Sequence, residues 1–155
     1  MFTYYIMPIF SATIATVGFG ILYNIPKRTI PASATTSGLG WIVYFICTQV
    51  FHLPLFVGTT LASFTIALIS QLFAKHYRMP VTIFAIPAII PLVPGGSAYN
   101  SMLAFVTGEI LSAMRYLIET FIVAGGLALG LTVNSAIFQV LSPRAIIQQG
   151  RRYLP

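Results

Sequence analysis

The chain has 155 residues, of which 57% are hydrophobic and only 6% are charged, and its mean hydropathy is +0.91. A soluble domain of this length could not cover so apolar a composition with a polar surface. The net charge of +6 at pH 7 would suit a nucleic-acid partner, but the basic residues lie singly or in pairs at the ends of apolar runs. Membrane topology explains that distribution better, so the composition indicates an integral membrane protein that binds no nucleic acid.

The apolar runs predict an all-α protein with five transmembrane helices. In chain order the predicted spans cover residues 2–23, 39–51, 55–73, 81–94 and 117–141. The stretch PASATTSG at 31–38, rich in Ser and Thr, is predicted as a polar loop. The spans form a single transmembrane domain, and residues 142–155 are predicted as a basic cytoplasmic tail.

The distribution of basic residues predicts the orientation of the chain. With the N-terminus outside, five crossings place seven of the eight basic residues on the cytoplasmic side, and only Arg115 faces out. The positive-inside rule therefore favours an N-out, C-in arrangement.

The stretch IPAIIPLVPGGSAY at 86–99 interrupts the fourth predicted span. A proline inside a helix removes an N–H group and costs about 3 kcal/mol. Pro87, Pro91 and Pro94 should release the backbone carbonyls four residues before them. Lipid supplies no replacement partner, so the broken segment should face protein or a wet cavity.

The residues after the last proline predict a helix start. Gly95 and Gly96 should allow a positive φ and a sharp change of direction, and Ser97 should cap a helix that begins near Ala98. The free N–H groups near 98–100 would stabilise a carboxylate, whereas the released carbonyls suit an ammonium group, a proton carrier or a water chain. A proline kink that merely reaches a loop is the alternative.

The chain has two acidic residues, Glu109 and Glu119. A carboxylate within a membrane is a candidate for proton coupling. Both residues fall near the predicted outer end of the fifth span, and Glu119 follows Arg115 by four residues. A local ion pair is therefore the simpler explanation, and proton coupling is the alternative.

Other motifs carry less chemistry. Gly126 and Gly130 form a GxxxG spacing that favours close helix packing and is weak support for a homo-oligomer. His52 and His76 lie at opposite ends of the third span, too far apart to share a metal ion. No ligand spacing, nucleophile elbow or phosphate loop is present, so we expect no metal, no cofactor and no enzymatic activity.

Two motifs resemble the threonine/serine exporter family. They are MPVTIFAIPAIIPLVPGGSAYNSM at 79–102 and GFGILYNIPKRTI at 18–30. With the five-span pattern, the resemblance covers most of the chain and is closest to the short membrane subunit of split exporters. It implies a larger partner subunit with a cytosolic domain, and threonine, serine or small dicarboxylates such as succinate as substrates. Carried over by motif, it gives functional weight to Asn24, Pro26, Pro91, Pro94, Gly95, Gly96 and Tyr99.

We therefore predict the small membrane subunit of a two-component secondary exporter in a bacterial inner or plasma membrane. Its substrates would be small carboxylate-bearing metabolites, threonine or serine being preferred over dicarboxylates, and its driving force the proton gradient. The alternatives are an assembly subunit that does not itself transport and a channel-forming protein. The predicted substrate or gating residues are Asn24, Pro26, Pro91, Pro94, Gly95, Gly96, Ser97, Tyr99 and Asn100.

Overall fold

The computed structural model describes residues 2–141, and within that range the chain forms helices and no strand. The predicted all-α fold is confirmed. The α-helices are α1 (Phe2–Leu22), α2 (Ile30–Phe45), α3 (Leu55–Tyr77), α4 (Thr82–Ile89), α5 (Gly95–Val106) and α6 (Ile110–Leu141). A π-helical turn, Ile46–Val50, extends α2, and 3-10 turns at Lys27–Thr29 and Ile90–Leu92 precede α2 and extend α4. The predicted basic tail at 142–155 lies outside the described residues.

Three stretches of the described chain are long and apolar enough to cross a membrane: Lys27–Val50, Leu55–Tyr77 and Ile110–Val140. Thr82–Leu92 and Gly95–Val106 form a fourth, broken stretch, with a bend of 45° between its halves. The chain is thus a helical membrane protein with the predicted break in its fourth span. With 21 residues, α1 has the length of a further span, and the five-span N-out arrangement stays a prediction.

The predicted loop at 31–38 is wrong, because these residues form the first turns of α2. The hydroxyl groups of Ser33 and Thr36 donate to the carbonyl oxygens of Thr29 and Ala32, at 3.2 and 2.8 Å. A Ser or Thr hydroxyl that donates to a carbonyl oxygen of the preceding turn has its hydrogen bond satisfied within the helix. Ser and Thr are therefore compatible with a helix in apolar surroundings.

The last helix also begins earlier than predicted, at Ile110 rather than at 117. Glu119 accordingly lies about 13 Å along α6 from its first residue, at 1.5 Å per residue. Glu119 therefore lies level with the break in the fourth span, where it contacts the first turn of α5.

Close packing between α3 and α6 depends on the GxxxG pair. A methyl group at Gly126 would lie 2.9 Å from the carbonyl oxygen of Phe56, and one at Gly130 would lie 2.8 Å from the backbone nitrogen of Phe64. The glycine pair therefore packs α6 against α3 within this chain, and the two helices run parallel.

Buried apolar residues place α2, α3, α4 and α6 around a common centre. One cluster joins Ala32 of α2, Ala74 of α3 and Phe84 of α4. A second cluster is Ala62, Ile66, Ala88, Leu92, Val123 and Leu127. The first cluster lies near Lys27, Arg28, Lys75 and Arg78, which we call the basic end of the bundle. The turn between α5 and α6 lies at the opposite end.

Candidate functional site

The break in the fourth span lies at Val93 and Pro94. Val93 is extended, with ψ 135°, and Pro94 has ψ 53°, so the chain leaves the axis of α4 before α5 begins. Among the glycines at 2–141, only Gly108 has a positive φ. The expected positive φ at Gly95 and Gly96 is therefore wrong, and the two residues before them make the turn.

The start of α5 also differs from its prediction. The helix begins at Gly95 rather than near Ala98, Pro94 occupies the N-cap position, and no side chain caps it. Ser97 is thus a residue of the first turn and not the cap. The backbone N–H groups of Gly96 and Ser97 have no acceptor among residues 2–141, so this helix end keeps its partial positive charge.

Other groups of the chain bond two of the carbonyls that the prolines release. The hydroxyl of Ser33 donates to the carbonyl oxygen of Ile83 at 3.4 Å, and the N–H of Val93 donates to that of Ile90 at 3.1 Å. Pro87 is fully buried. This face of the broken segment is therefore directed into the protein, as lipid surroundings require.

A cavity of about 150 Å³ lies directly behind the break. Its polar lining comes from Glu119 and Ser97, from Thr59 of α3 and from Trp41 and Tyr44 of α2. The apolar lining is Leu55, Pro91, Leu92, Val93, Pro94 and Val123. A cavity of this size accepts a guest comparable to benzene, so only a small metabolite would fit.

Glu119 is tied to the break by a hydrogen bond. The hydroxyl of Ser97 donates to Oε1 of Glu119 at 2.9 Å. Arg115 forms no ion pair with Glu119, so the local ion pair expected between these two residues is wrong. Although the two residues are four apart in α6, Arg115 is exposed, whereas Glu119 is half-buried against α5.

The cavity lining offers an acceptor for a cation and includes a tryptophan whose donor group has no partner. The Glu119 carboxylate can bind a proton or an ammonium group, and neither Lys nor Arg lines the cavity. The indole Nε1–H of Trp41 is buried and has no partner at 2–141. A buried donor without an acceptor is costly, so this group would gain from a guest that carries an acceptor such as a carboxylate.

Asn24 lies away from the cavity, at the end of α1. Its φ is 53°, its N–H donates to the carbonyl of Ile21, and the N–H of Ile25 donates to that of Gly20. These two bonds form a Schellman motif that ends α1, in which asparagine is tolerated in the left-handed conformation. The structure thus supports a role for Asn24 in ending α1.

The structure brings together only part of the predicted set. Pro91, Pro94, Ser97 and Glu119 line the cavity. The predicted residues that do not line it are Asn24, Pro26, Gly95, Gly96, Tyr99, Asn100 and Glu109. The sequence analysis did not identify Trp41, Tyr44 and Thr59 as residues that line the cavity. Their spacing on the helix faces is the only sequence signal for that position.

The chain thus combines a helical bundle, a broken span and a half-buried carboxylate beside the break, features that also occur in secondary transporters. The family described as Threonine/Serine exporter, ThrE, matches residues 8–137, and this chain belongs to that family.

The chain also has curated relatives of similar sequence. An uncharacterised protein of Haemophilus influenzae is 25% identical over 140 residues, which cover 85% of this chain and 47% of the relative. The chain thus spans about half the length of that relative. No solved structure matches the chain.

Proposed function

We propose that this chain is the membrane subunit of a secondary exporter for small zwitterionic amino acids, threonine or serine being preferred. The cavity behind the break supports the proposal, because its lining includes both the Glu119 carboxylate and Trp41, whose buried indole N–H has no partner within residues 2–141. An amino acid presents an ammonium group to the first and a carboxylate to the second.

The same charges disfavour a dicarboxylate such as succinate. Either carboxylate of that substrate would lie within a few ångströms of Glu119, and like charges repel strongly where water is scarce. No Lys or Arg of this chain lines the cavity to offset the repulsion. The hydroxyl group in the first turn of α5 already donates to Glu119, which places a negative charge beside the expected carboxylate site.

In the proposed mechanism, Glu119 binds a proton and the substrate ammonium group in turn, and α5 moves against α4 at the break. Export would then be driven by the proton gradient. The chain would lie N-out and C-in in a bacterial cell membrane and work with a larger subunit that carries a cytosolic domain. The length that the relative has beyond this chain supports a further component.

Efflux from proteoliposomes tests the proposal. The chain is reconstituted with and without the larger subunit, the vesicles are loaded with radiolabelled threonine, serine or succinate, and a proton gradient is imposed. We expect threonine and serine efflux only from the pair. Glu119→Gln should lower it at least tenfold, because the neutral amide no longer attracts the ammonium group. Glu109→Gln, at the exposed turn before α6, is the matched control and should leave efflux unchanged.

Three outcomes would contradict the proposal. Full efflux by Glu119→Gln would remove the carboxylate from the mechanism, and efflux of succinate alone would overturn the substrate class. Conductance of the chain without a partner would indicate a channel.

Pro94→Ala tests the alternative that the chain is an assembly subunit that does not transport. If the chain forms the transport site, the substitution should restore part of α4 and stop export. Loss of function on substitution of Gly126 or Gly130 would not distinguish a transporter from an assembly subunit, because both glycines pack within the chain.

A further inference from the structure

Two buried hydroxyl groups in the bundle differ from all the others. Nine Ser and Thr side chains are buried among the described residues, and seven of them donate a hydrogen bond. Ser37 and Ser70 are fully buried and have no partner at 2–141. A Ser hydroxyl in a helix can ordinarily bond the preceding turn, so two that do not are expected to bond buried water.

The packing of α2 against α3 places Ser37 and Ser70 in one layer. The helices run antiparallel and meet where Ile66 lies against Gly40. Ser37 is one turn from Gly40 toward the basic end, and Ser70 is one turn from Ile66 in the same direction. The cluster of Ala32, Ala74 and Phe84 forms the next layer toward that end.

Gln71 extends this polar layer toward the surface. Its Nε2 donates to Oδ1 of Asn134 at 2.6 Å, while its Oε1 is buried without a partner. Gln71 also lines an open groove of about 750 Å³ at the basic end, beside Lys75, Thr82 and Gln139. A series of unsatisfied polar groups therefore begins at the groove and ends at Ser37 and Ser70.

A single apolar layer separates these groups from the Glu119 cavity. Ser37 and Trp41 are one turn apart on α2, about 6 Å along the axis. Between their levels, Ile66 is fully buried, and its side chain fills the space that a methyl group on Gly40 would need. On the far side, Trp41 lines the cavity and has its own unpartnered N–H.

We propose that Ser37, Ser70 and Gln71 form a water path from the groove at the basic end toward Glu119, and that Ile66, packed on Gly40, is the gate that closes it. The proposal rests on the proposed function, since it describes how the cavity of the exporter opens to one side. In this state the gate is closed, and a shift of α2 against α3 opens it.

Cysteine labelling tests the gate without requiring transport. Cys47 is replaced by Ser, and Val123→Cys places one thiol in the cavity lining. The chain, together with its larger subunit, is exposed in vesicles to a membrane-impermeant, positively charged thiosulfonate from the basic end. We expect Ile66→Ala to raise the labelling rate at least tenfold. Leu68→Ala, on the exposed side of the same helix, should not change it.

Ile66→Val, which removes one methylene, provides a milder variant if Ile66→Ala does not fold, and should raise the rate severalfold. In the Ile66→Ala background, Ser37→Ala with Ser70→Ala should return the rate toward that of the closed protein, because the path loses its polar groups. Unchanged labelling in folded Ile66→Ala and Ile66→Val, or no effect of the serine pair, would overturn the proposal. Failure of Glu119→Gln to alter efflux would instead contradict the proposed function and leave the gate standing.

Discussion

Gly126 and Gly130 let α6 lie against the hydroxyl-bearing side of α3. At Gly130 an added methyl group would meet the hydroxyl of Ser63 and the backbone of Thr60 and Phe64, and these backbone atoms cannot move without shifting α3. The hydroxyl of Ser63 also approaches the carbonyl oxygen of Gly126, at 3.5 Å. Small residues at such a contact allow backbone groups of two helices to interact directly in a membrane.

Gly130→Ala should therefore lower the free energy of unfolding by about 1–3 kcal/mol, the usual cost of overpacking. Gly125→Ala is the matched control on the same helix, since its methyl group would make an ordinary contact, 3.6 Å from the ring of Phe56. The control should gain up to about 0.5–1 kcal/mol from the loss of glycine flexibility. Unfolding of the purified protein in mixed micelles measures both, and equal stabilities would refute the assigned contact.

Three helices of the bundle end in the same way. Asn24, His52 and Arg78 each have φ between 50° and 54°, and in each case an aromatic residue precedes and an aliphatic residue and a proline follow. The N–H of the aliphatic residue returns to the last turn of its helix, as that of Met79 does to Ala74 at 3.0 Å. The proline then prevents the helix from continuing. This four-residue motif sets the ends of α1, of the π-helical turn that extends α2, and of α3.

Arginine is poorly suited to the left-handed conformation, which costs about 1–2 kcal/mol for residues other than glycine and asparagine. Arg78→Asn should thus raise the free energy of unfolding by about 0.5–1 kcal/mol, because asparagine tolerates this φ. Lys75→Asn removes the same charge one turn earlier, within α3, and should lower stability by a few tenths of a kcal/mol. If Arg78→Asn and Lys75→Asn have the same free energy of unfolding, the left-handed conformation of Arg78 does not destabilise the protein.

The elements that local chemistry dictates could be predicted from the sequence. Proline has no N–H wherever it stands, so the break after Leu92 was predictable. The helix at 31–38 was not, because a Ser- and Thr-rich stretch forms a loop in water and a helix where its hydroxyls bond the preceding turn. The partnership of Ser97 with Glu119 depends on how α5 returns against α6, which no local pattern specifies.

At the scale of the whole molecule, charge is distributed unequally between the two ends. Lys27, Arg28, Lys75 and Arg78 lie at the basic end, whereas Glu109 and Arg115 lie near the opposite end. Positive residues are retained on the cytoplasmic side during insertion. The distribution supports the proposed orientation, with the groove beside Lys75 facing the cytoplasm.

Labelling of single cysteines in intact cells tests this orientation. In a Cys47→Ser background, Glu109→Cys should react with an impermeant maleimide from outside, and Lys75→Cys only after the membrane is permeabilised. Both positions are exposed in the structure, so access to the thiol does not limit the reaction. The reverse pattern would overturn the N-out arrangement and make the gate at Ile66 an outer one.

In the proposed exporter, the hydrogen bond from Ser97 to Glu119 would couple substrate binding to the position of α5. The carboxylate oxygen that holds the first turn of α5 against α6 is also one that an arriving ammonium group or proton would seek. Binding of the ammonium group or proton to Glu119 would then compete with the hydrogen bond from Ser97. A bound substrate would therefore weaken the bond that fixes the angle between α4 and α5. The protein with and without bound substrate would then differ in how freely α5 moves relative to α4.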